Sequence, residues 1–189
     1  NKITFRGSNS LIQYRLSNFT NNDERYLNQL LEIDLRQKII FYASDPSKEE
    51  SQRYLTEKFL FNCFANNSEF TFVIKTHTQD DGKITNYAYL DSGKPSNIFL
   101  IGDATQKTRI ASKKFKIFNE FNFNLAVATS DGFLTSSSSS ILQALALDIK
   151  SGIVDLFNNG FYDYLVGYNA VSLINSKNSL AQFLDSKYL

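Results

Sequence analysis

Short runs of β-branched and aromatic residues recur along this chain from Lys38 onward, and longer segments of helical pattern separate them. The runs are IIFYA at 39–43, FTFVIK at 70–75, NIFLI at 97–101, LAVAT at 125–129, GIVDL at 152–156 and VSLI at 171–174. Most lack polar alternation, which is the pattern of strands covered on both faces. Strands alternating with helices predict an α/β fold, a doubly wound, mostly parallel Rossmann-like sheet.

The separating segments carry helical signals. Residues 47–66 open with Ser-Lys-Glu-Glu, a capping box with Ser47 at the N-cap and Glu50 three residues on. Leu55, Phe59 and Cys63 follow at helical spacing and form the expected apolar face. Residues 107–121 carry Ile110, Lys114, Ile117 and Phe121, with the lysines of that stretch outward. Helices are also expected over 137–147 and 179–189, with a further short one at 163–169. Residues 1–37 differ, with the polar stretch NFTNNDER and a short helical pattern, LNQLLEIDL. They read as an N-terminal extension or connection, and 38–189 as one domain.

Composition bounds the rest. At 42% hydrophobic and 14% aromatic, 189 residues are enough to bury a core. Twenty basic against 19 acidic residues give no field that attracts nucleic acid or anionic lipid. Cys63 is the only cysteine, so no internal disulfide forms, and it reads as a small core residue. No run is long or apolar enough to span a bilayer and no secretory signal is present, so a cytoplasmic protein is expected. There is no methionine and the sequence opens at Asn1, so a longer natural chain is expected. The aromatics Phe161, Tyr162 and Tyr164 suit a lobe interface, a membrane surface or the domain's own core, and core packing is the expectation.

The most pointed feature is the serine run in TSDGFLTSSSSS (129–140), which leads directly into ILQALAL. A linker separates compact units, whereas this run falls between a strand and an apolar helix. The helix would set Ile141, Leu142, Leu145, Ala146 and Ile149 on the sheet. Ser136, Ser137, Ser138, Ser139 and Ser140 then occupy the loop and first turn at the carboxyl end of a central strand, the edge where open α/β sheets bind ligands. The first turn of a helix presents unpaired N–H groups, and serine hydroxyls add donors without bulk. A phosphate can approach such a loop closely. One serine caps a helix, and five exceed that need.

The one histidine, His77, follows the strand 70–75 and lies on that same edge. An imidazole there can donate a proton to a leaving phosphate. A plain surface loop is the competing account, since TQDDGK follows. Lys75, two residues earlier, shares the strand face and can add positive charge. Ser44 and Asp45 follow the first core strand and are candidate cleft residues, although a turn and helix cap explain them equally well. Gly102, at the end of the 97–101 run, and Asp131, just before the serines, complete the candidate cleft. One histidine and one distant cysteine offer no zinc spacing, so no metal is expected. No GxxxxGK[ST], GxGxxG or GxSxG motif occurs.

Lys75-Thr76-His77 at a strand end, a further strand at 97–102, and then LAVATSDGFLTSSSSSILQALALDIKSGIVD together resemble the C-terminal, donor-binding half of a bacterial GT-B glycosyltransferase. Gln143-Ala144-Leu145-Ala146-Leu147 occupies the position of that family's Glu-Ala-Leu-Ala-Leu helix, with Gln where many members carry Glu. Within the class the chain is most similar to sialyltransferases and polysialyltransferases of capsule and lipooligosaccharide synthesis. Those enzymes hold the CMP of the activated sugar with a His-Pro motif and a Ser/Thr-rich motif. The resemblance implies that His77 contacts or protonates the donor phosphate, and that 136–140 bind it. It also implies metal-independent, inverting transfer from a CMP-linked donor to a surface-glycan acceptor, with no further cofactor. An N-terminal acceptor-binding lobe and a location at the inner face of the bacterial membrane would follow.

The chain departs from the pattern at Thr78, where the family has Pro, and it holds no evident copy of the family's acidic general-base motif. Two alternatives stay open. One is a polyol-phosphate transferase or sugar-nucleotide epimerase on the same architecture. The other is a catalytically silent Rossmann-like module that binds a sugar phosphate or a protein partner.

Overall fold

A computed structural model of the chain describes residues 26–45, 50–77, 95–103, 115–118 and 121–185. Among the described residues, seven parallel strands form one sheet in the order β4-β3-β2-β1-β5-β6-β7. They are β1 (Lys38–Ala43), β2 (Phe70–Lys75), β3 (Ile98–Asp103), β4 (Phe115–Phe118), β5 (Gly132–Thr135), β6 (Ser151–Val154) and β7 (Ser172–Ile174). The helices are α1 (Tyr26–Leu31), α2 (Glu50–Ala65), α3 (Phe123–Ala128), α4 (Ser140–Ala146), α5 (Asp163–Gly167) and α6 (Lys177–Asp185).

Both faces of the sheet are covered, as the apolar runs predicted. Alternate side chains of a strand point to opposite faces. Ile40 and Tyr42 of β1 join Phe72, Ile74, Leu100, Leu134 and Val154 on one face, under Leu60 and Phe64 of α2 and Phe183 of α6. Ile39 and Phe41 join Val73, Ile101, Phe133 and Ile153 on the other, under Leu27 of α1, Val127 of α3, Ile141 of α4 and Leu165 of α5. From β1 the chain moves outward through α2 to β2 on the first face. From β5 it moves the opposite way through α4 to β6 on the second. Right-handed crossovers require this change of face when the direction of travel reverses.

Two segments differ from the sequence expectation. Residues 125–129, expected as a strand, belong to helix α3 and its cap. The run LAVA is too short for periodicity to decide. The flanking caps settle it: Asn122 Oδ1 accepts from Leu125 N at 3.0 Å, and Thr129 Oγ1 donates to Leu125 O at 2.9 Å. The strand is GFLT, a few residues later, buried throughout. Residues 115–118, expected inside a helix over 107–121, form edge strand β4, which pairs Phe115 with Leu100. Its β-branched and aromatic content outweighed the helical spacing of its neighbours. Ser47, the expected N-cap before α2, lies outside the described residues.

Buried faces also shifted. In α2, Leu55 is 48% exposed, and the stripe that meets the sheet is Arg53, Thr56, Glu57, Leu60 and Phe64. In α4 the buried apolar positions are Ile141 and Ala144, with Ser140 buried at its start, while Leu142 is exposed. Phe161 and Tyr164, expected in the core, are 55% and 54% exposed.

Candidate functional site at the switch point of the sheet

The direction of travel reverses between β1 and β5, so the loops leaving their carboxyl ends diverge to opposite faces. That divergence opens a crevice, the position at which doubly wound sheets take ligands. The residues lining it are Ser44 and Asp45 after β1 and the serine run after β5. Thr135 at the end of β5 ties the two strand ends together, its Oγ1 donating to Ala43 O at 3.1 Å.

The serine run is a knitted loop. Ser136 is buried, its hydroxyl 3.3 Å from that of Tyr42. Ser137 donates its hydroxyl to the Asp45 carboxylate across the crevice. Ser138 N donates to Thr135 Oγ1 at 3.3 Å, and Ser140 Oγ donates to Ser138 Oγ at 2.8 Å. Ser139 is the exposed N-cap of α4, without a side-chain cap bond. Much of the serine content therefore builds the loop itself. Helix α4 is seven residues long, shorter than the expected 137–147. Donor groups of the loop, rather than a long helix axis, characterise the spot.

Behind the loop lies a buried polar layer that reading the sequence did not reveal. Glu57 is fully enclosed, and its Oε1 accepts from Ser44 Oγ at 2.6 Å. The hydroxyl of Tyr42 is held well above its ordinary pKa, first by burial and then by the charge of Glu57, with Asp45 adding to the effect. The Ser136 hydrogen bond and the charge of Arg53 act in the opposite sense. Glu57 and Arg53 look like solvent-facing positions of an amphipathic helix in the sequence. Only the helix phase places them under β1.

The remaining candidates divide between the two edges. Lys75 ends β2 beside Ala43, and its Nζ donates to Thr76 O at 2.8 Å, 5.8 Å from the centre of the Phe121 ring. The amine is thereby turned to its own strand end. His77, half-buried, lies just beyond β2, because the strand stops at Lys75. It shares the carboxyl edge with the serine loop, with the end of β1 between them. Two strand spacings, about 10 Å, separate β2 from β5. Gly102 is buried in β3, one strand further out. Asp131 does not join the cleft: its Oδ2 accepts from Ile39 N at 2.7 Å at the amino edge, the opposite side of the sheet. The missed strand at 132–135 explains the error, since it separates Asp131 from the serines by its full length.

On the β6 side, Asp155 follows the strand and accepts from Asn159 N at 3.0 Å and Gly160 N at 2.9 Å. The turn it holds leads to Tyr162, whose hydroxyl donates to Ser137 O at 3.2 Å. Burial, with Tyr164 and Asp45 adding, raises the Tyr162 pKa above its ordinary value. No group of three or more His, Cys, Asp or Glu side chains among the described residues is arranged to hold a metal.

Fold and crevice together define the class: a doubly wound, parallel, Rossmann-like sheet of the kind found in GT-B folds, with its candidate site at the switch point. The particular likenesses lie in solved structures. UDP-GlcNAc 2-epimerase of Methanocaldococcus jannaschii, solved with UDP-GlcNAc and UDP, superposes with a TM-score of 0.56 at 14% identity, over 95% of this chain and 47% of that one. E. coli ADP-heptose lps heptosyltransferase II superposes with a TM-score of 0.53 at 11% identity, over 88% of this chain and 52% of that one. The chain thus spans about half the length of these proteins. No protein-family model and no curated sequence matches it. Among the described residues no helix is long and apolar enough to cross a membrane.

Proposed function

We propose that this chain is the nucleotide-sugar donor-binding lobe of a glycosyltransferase. The observation that carries the reading is the serine loop at the switch point, seated against Asp45 and backed by the buried Tyr42–Ser44–Glu57 layer. Backbone N–H groups and hydroxyls of residues 136–140 bind the donor phosphate. As the bond from the anomeric carbon to that phosphate breaks, charge develops on the phosphate oxygen, and preorganised donors stabilise it. His77 reaches the phosphate from the β2 side and supplies a hydrogen bond or proton. Lys75 contributes through its field. An acceptor hydroxyl on a surface glycan attacks the opposite face, with inversion and without a metal. The facing lobe supplies the acceptor site and the general base.

Within this reading the donor is CMP-linked, with sialic acid as the sugar. The support for that refinement is the His77 and serine-run resemblance alone, and UDP- and ADP-linked donors are its competitors.

A second reading, epimerisation of a sugar nucleotide, draws support from the superposition of 95% of this chain on about half of an epimerase. Product analysis with and without an acceptor separates the two.

The test is a thermal-shift titration with CMP, UDP, ADP and GDP, repeated on Ser138→Ala and His77→Ala. A ligand at a hundred times its dissociation constant adds about 2.7 kcal/mol of stability. The expected result is one preferred nucleotide whose shift both substitutions weaken. Equal shifts in both variants and in the unsubstituted chain would remove these residues from the site.

A further inference from the structure

Tyr162 brings aromatic surface against the serine loop. Its hydroxyl is bonded to Ser137 O, and its ring lies 6.1 Å from that of Tyr164, tilted by 55°. Phe161 and Tyr164 beside it are more than half exposed. The segment carrying them is pinned at its start by the two backbone bonds to Asp155. Asn158 (φ 56°) and Gly160 (φ 68°) adopt the left-handed backbone that such a tight turn requires. The aromatics are thus displayed on a fixed turn, with the exposed side chains of Asn158 and Asn159 on the same segment.

A sugar ring fits this surface. A pyranose has an apolar C–H face that lies flat on an aromatic ring, and peripheral hydroxyls that pair with amides and hydroxyls. Apolar surface with a few convergent polar groups is the composition of a ligand wall.

We propose that the 157–164 segment is the wall on which the sugar ring of the nucleotide-linked donor lies, with Phe161 and Tyr164 as its stacking faces. This rests on the reading of the serine loop as the phosphate seat. The sugar is attached directly to that phosphate, Tyr162 bonds the loop at Ser137 O, and the Tyr164 ring lies 6.1 Å beyond that of Tyr162, so the wall adjoins the seat. Ribose and base follow on the other side of the phosphate, toward β2.

The experiment compares each bare nucleotide with its sugar-bearing form: UDP with UDP-GlcNAc, CMP with CMP-sialic acid, ADP with ADP-heptose. Affinities are measured by isothermal titration on the unsubstituted chain, on the Phe161→Ala/Tyr164→Ala double variant, and on Phe161→Leu. The exposure of both side chains keeps these variants folded. The expected result is that the preferred sugar nucleotide loses about tenfold in affinity in the double variant while the bare nucleotide binds as before. Phe161→Leu, which keeps apolar area and removes the ring, shows a smaller loss of the same kind. An unchanged affinity for the sugar nucleotide overturns the proposal. An equal loss for both forms also overturns it, because the wall would then hold the base. If the unsubstituted chain binds no nucleotide, the phosphate seat itself fails and the wall falls with it.

Discussion

Glu57 accepts the hydroxyl proton of Ser44 at 2.6 Å from a position with no solvent exposure. A helix thereby reaches under the end of the central strand and fixes the residue next to Asp45, which in turn receives the Ser137 hydroxyl. The two loops of the crevice are set from behind by one buried carboxylate.

Removing that carboxylate separates shape from chemistry. Glu57→Ala leaves Ser44 Oγ without its acceptor and opens a cavity, a cost of about 2–4 kcal/mol. Glu57→Gln keeps the volume and an accepting oxygen and stays within about 1 kcal/mol of the unsubstituted chain. Urea unfolding of the two variants reads the difference. Equal midpoints would show that the Ser44 bond does not hold the loop.

Asp131 provides the control at the far edge. Asp131→Ala removes the acceptor of Ile39 N and lowers stability by about 1–2 kcal/mol. Nucleotide affinity measured on the folded variant stays unchanged, because the carboxylate lies a strand's length from the serines. A large affinity loss would place the ligand on the amino edge instead.

Tyr42 sets an alkaline limit. Its folded-state pKa is raised above the ordinary value of 10.0, chiefly by burial. Below pH 10 the phenol is protonated in both states and the pH slope is zero. Above it the unfolded chain releases the proton first, so stability falls by up to ~1.4 kcal/mol per pH unit. Tyr42→Phe removes that contribution, and its stability profile between pH 10 and 12 is correspondingly flatter. Parallel profiles would mean that the phenol titrates alike in both states.

Gly152 tests how closely the sheet is packed. A Cβ there would sit 2.7 Å from Ile174 Cδ1 and 2.9 Å from Leu134 Cδ2. Gly152→Ala costs about 1–3 kcal/mol. Gly167, in α5 with nothing within 4 Å, is the contrast. Gly167→Ala is neutral or stabilising by about 0.4–1 kcal/mol. Thermal midpoints of the pair give the comparison.

The sheet was legible because strands buried on both faces write themselves as unbroken apolar runs. β2 was read to its exact bounds at 70–75, and β1 to within one residue. LAVA was misread because an apolar run of that length suits a helix as well as a strand, and the capping bonds of Asn122 and Thr129 decide it. The serine loop does follow a strand's carboxyl end, but that strand is GFLT at 132–135 rather than the apolar run before it. Glu57, Arg53 and Tyr162 were not legible. Their part in the crevice depends on helix phase and on a turn returning to the loop, and neither leaves a local pattern.

The joint between β1 and β5 also carries a kinetic consequence. Within each half of the sheet, successive strands are neighbours, so their pairing closes short loops. The β1–β5 joint connects residues about 90 apart in sequence, and the Asp45–Ser137 and Thr135–Ala43 bonds both span 92. Among the strand pairings of the sheet, that one carries the largest single loop-closure cost. The crevice is therefore absent from either half alone and forms only when the halves join, so a ligand bound there acts as a clasp on the longest-range strand pairing among the described residues.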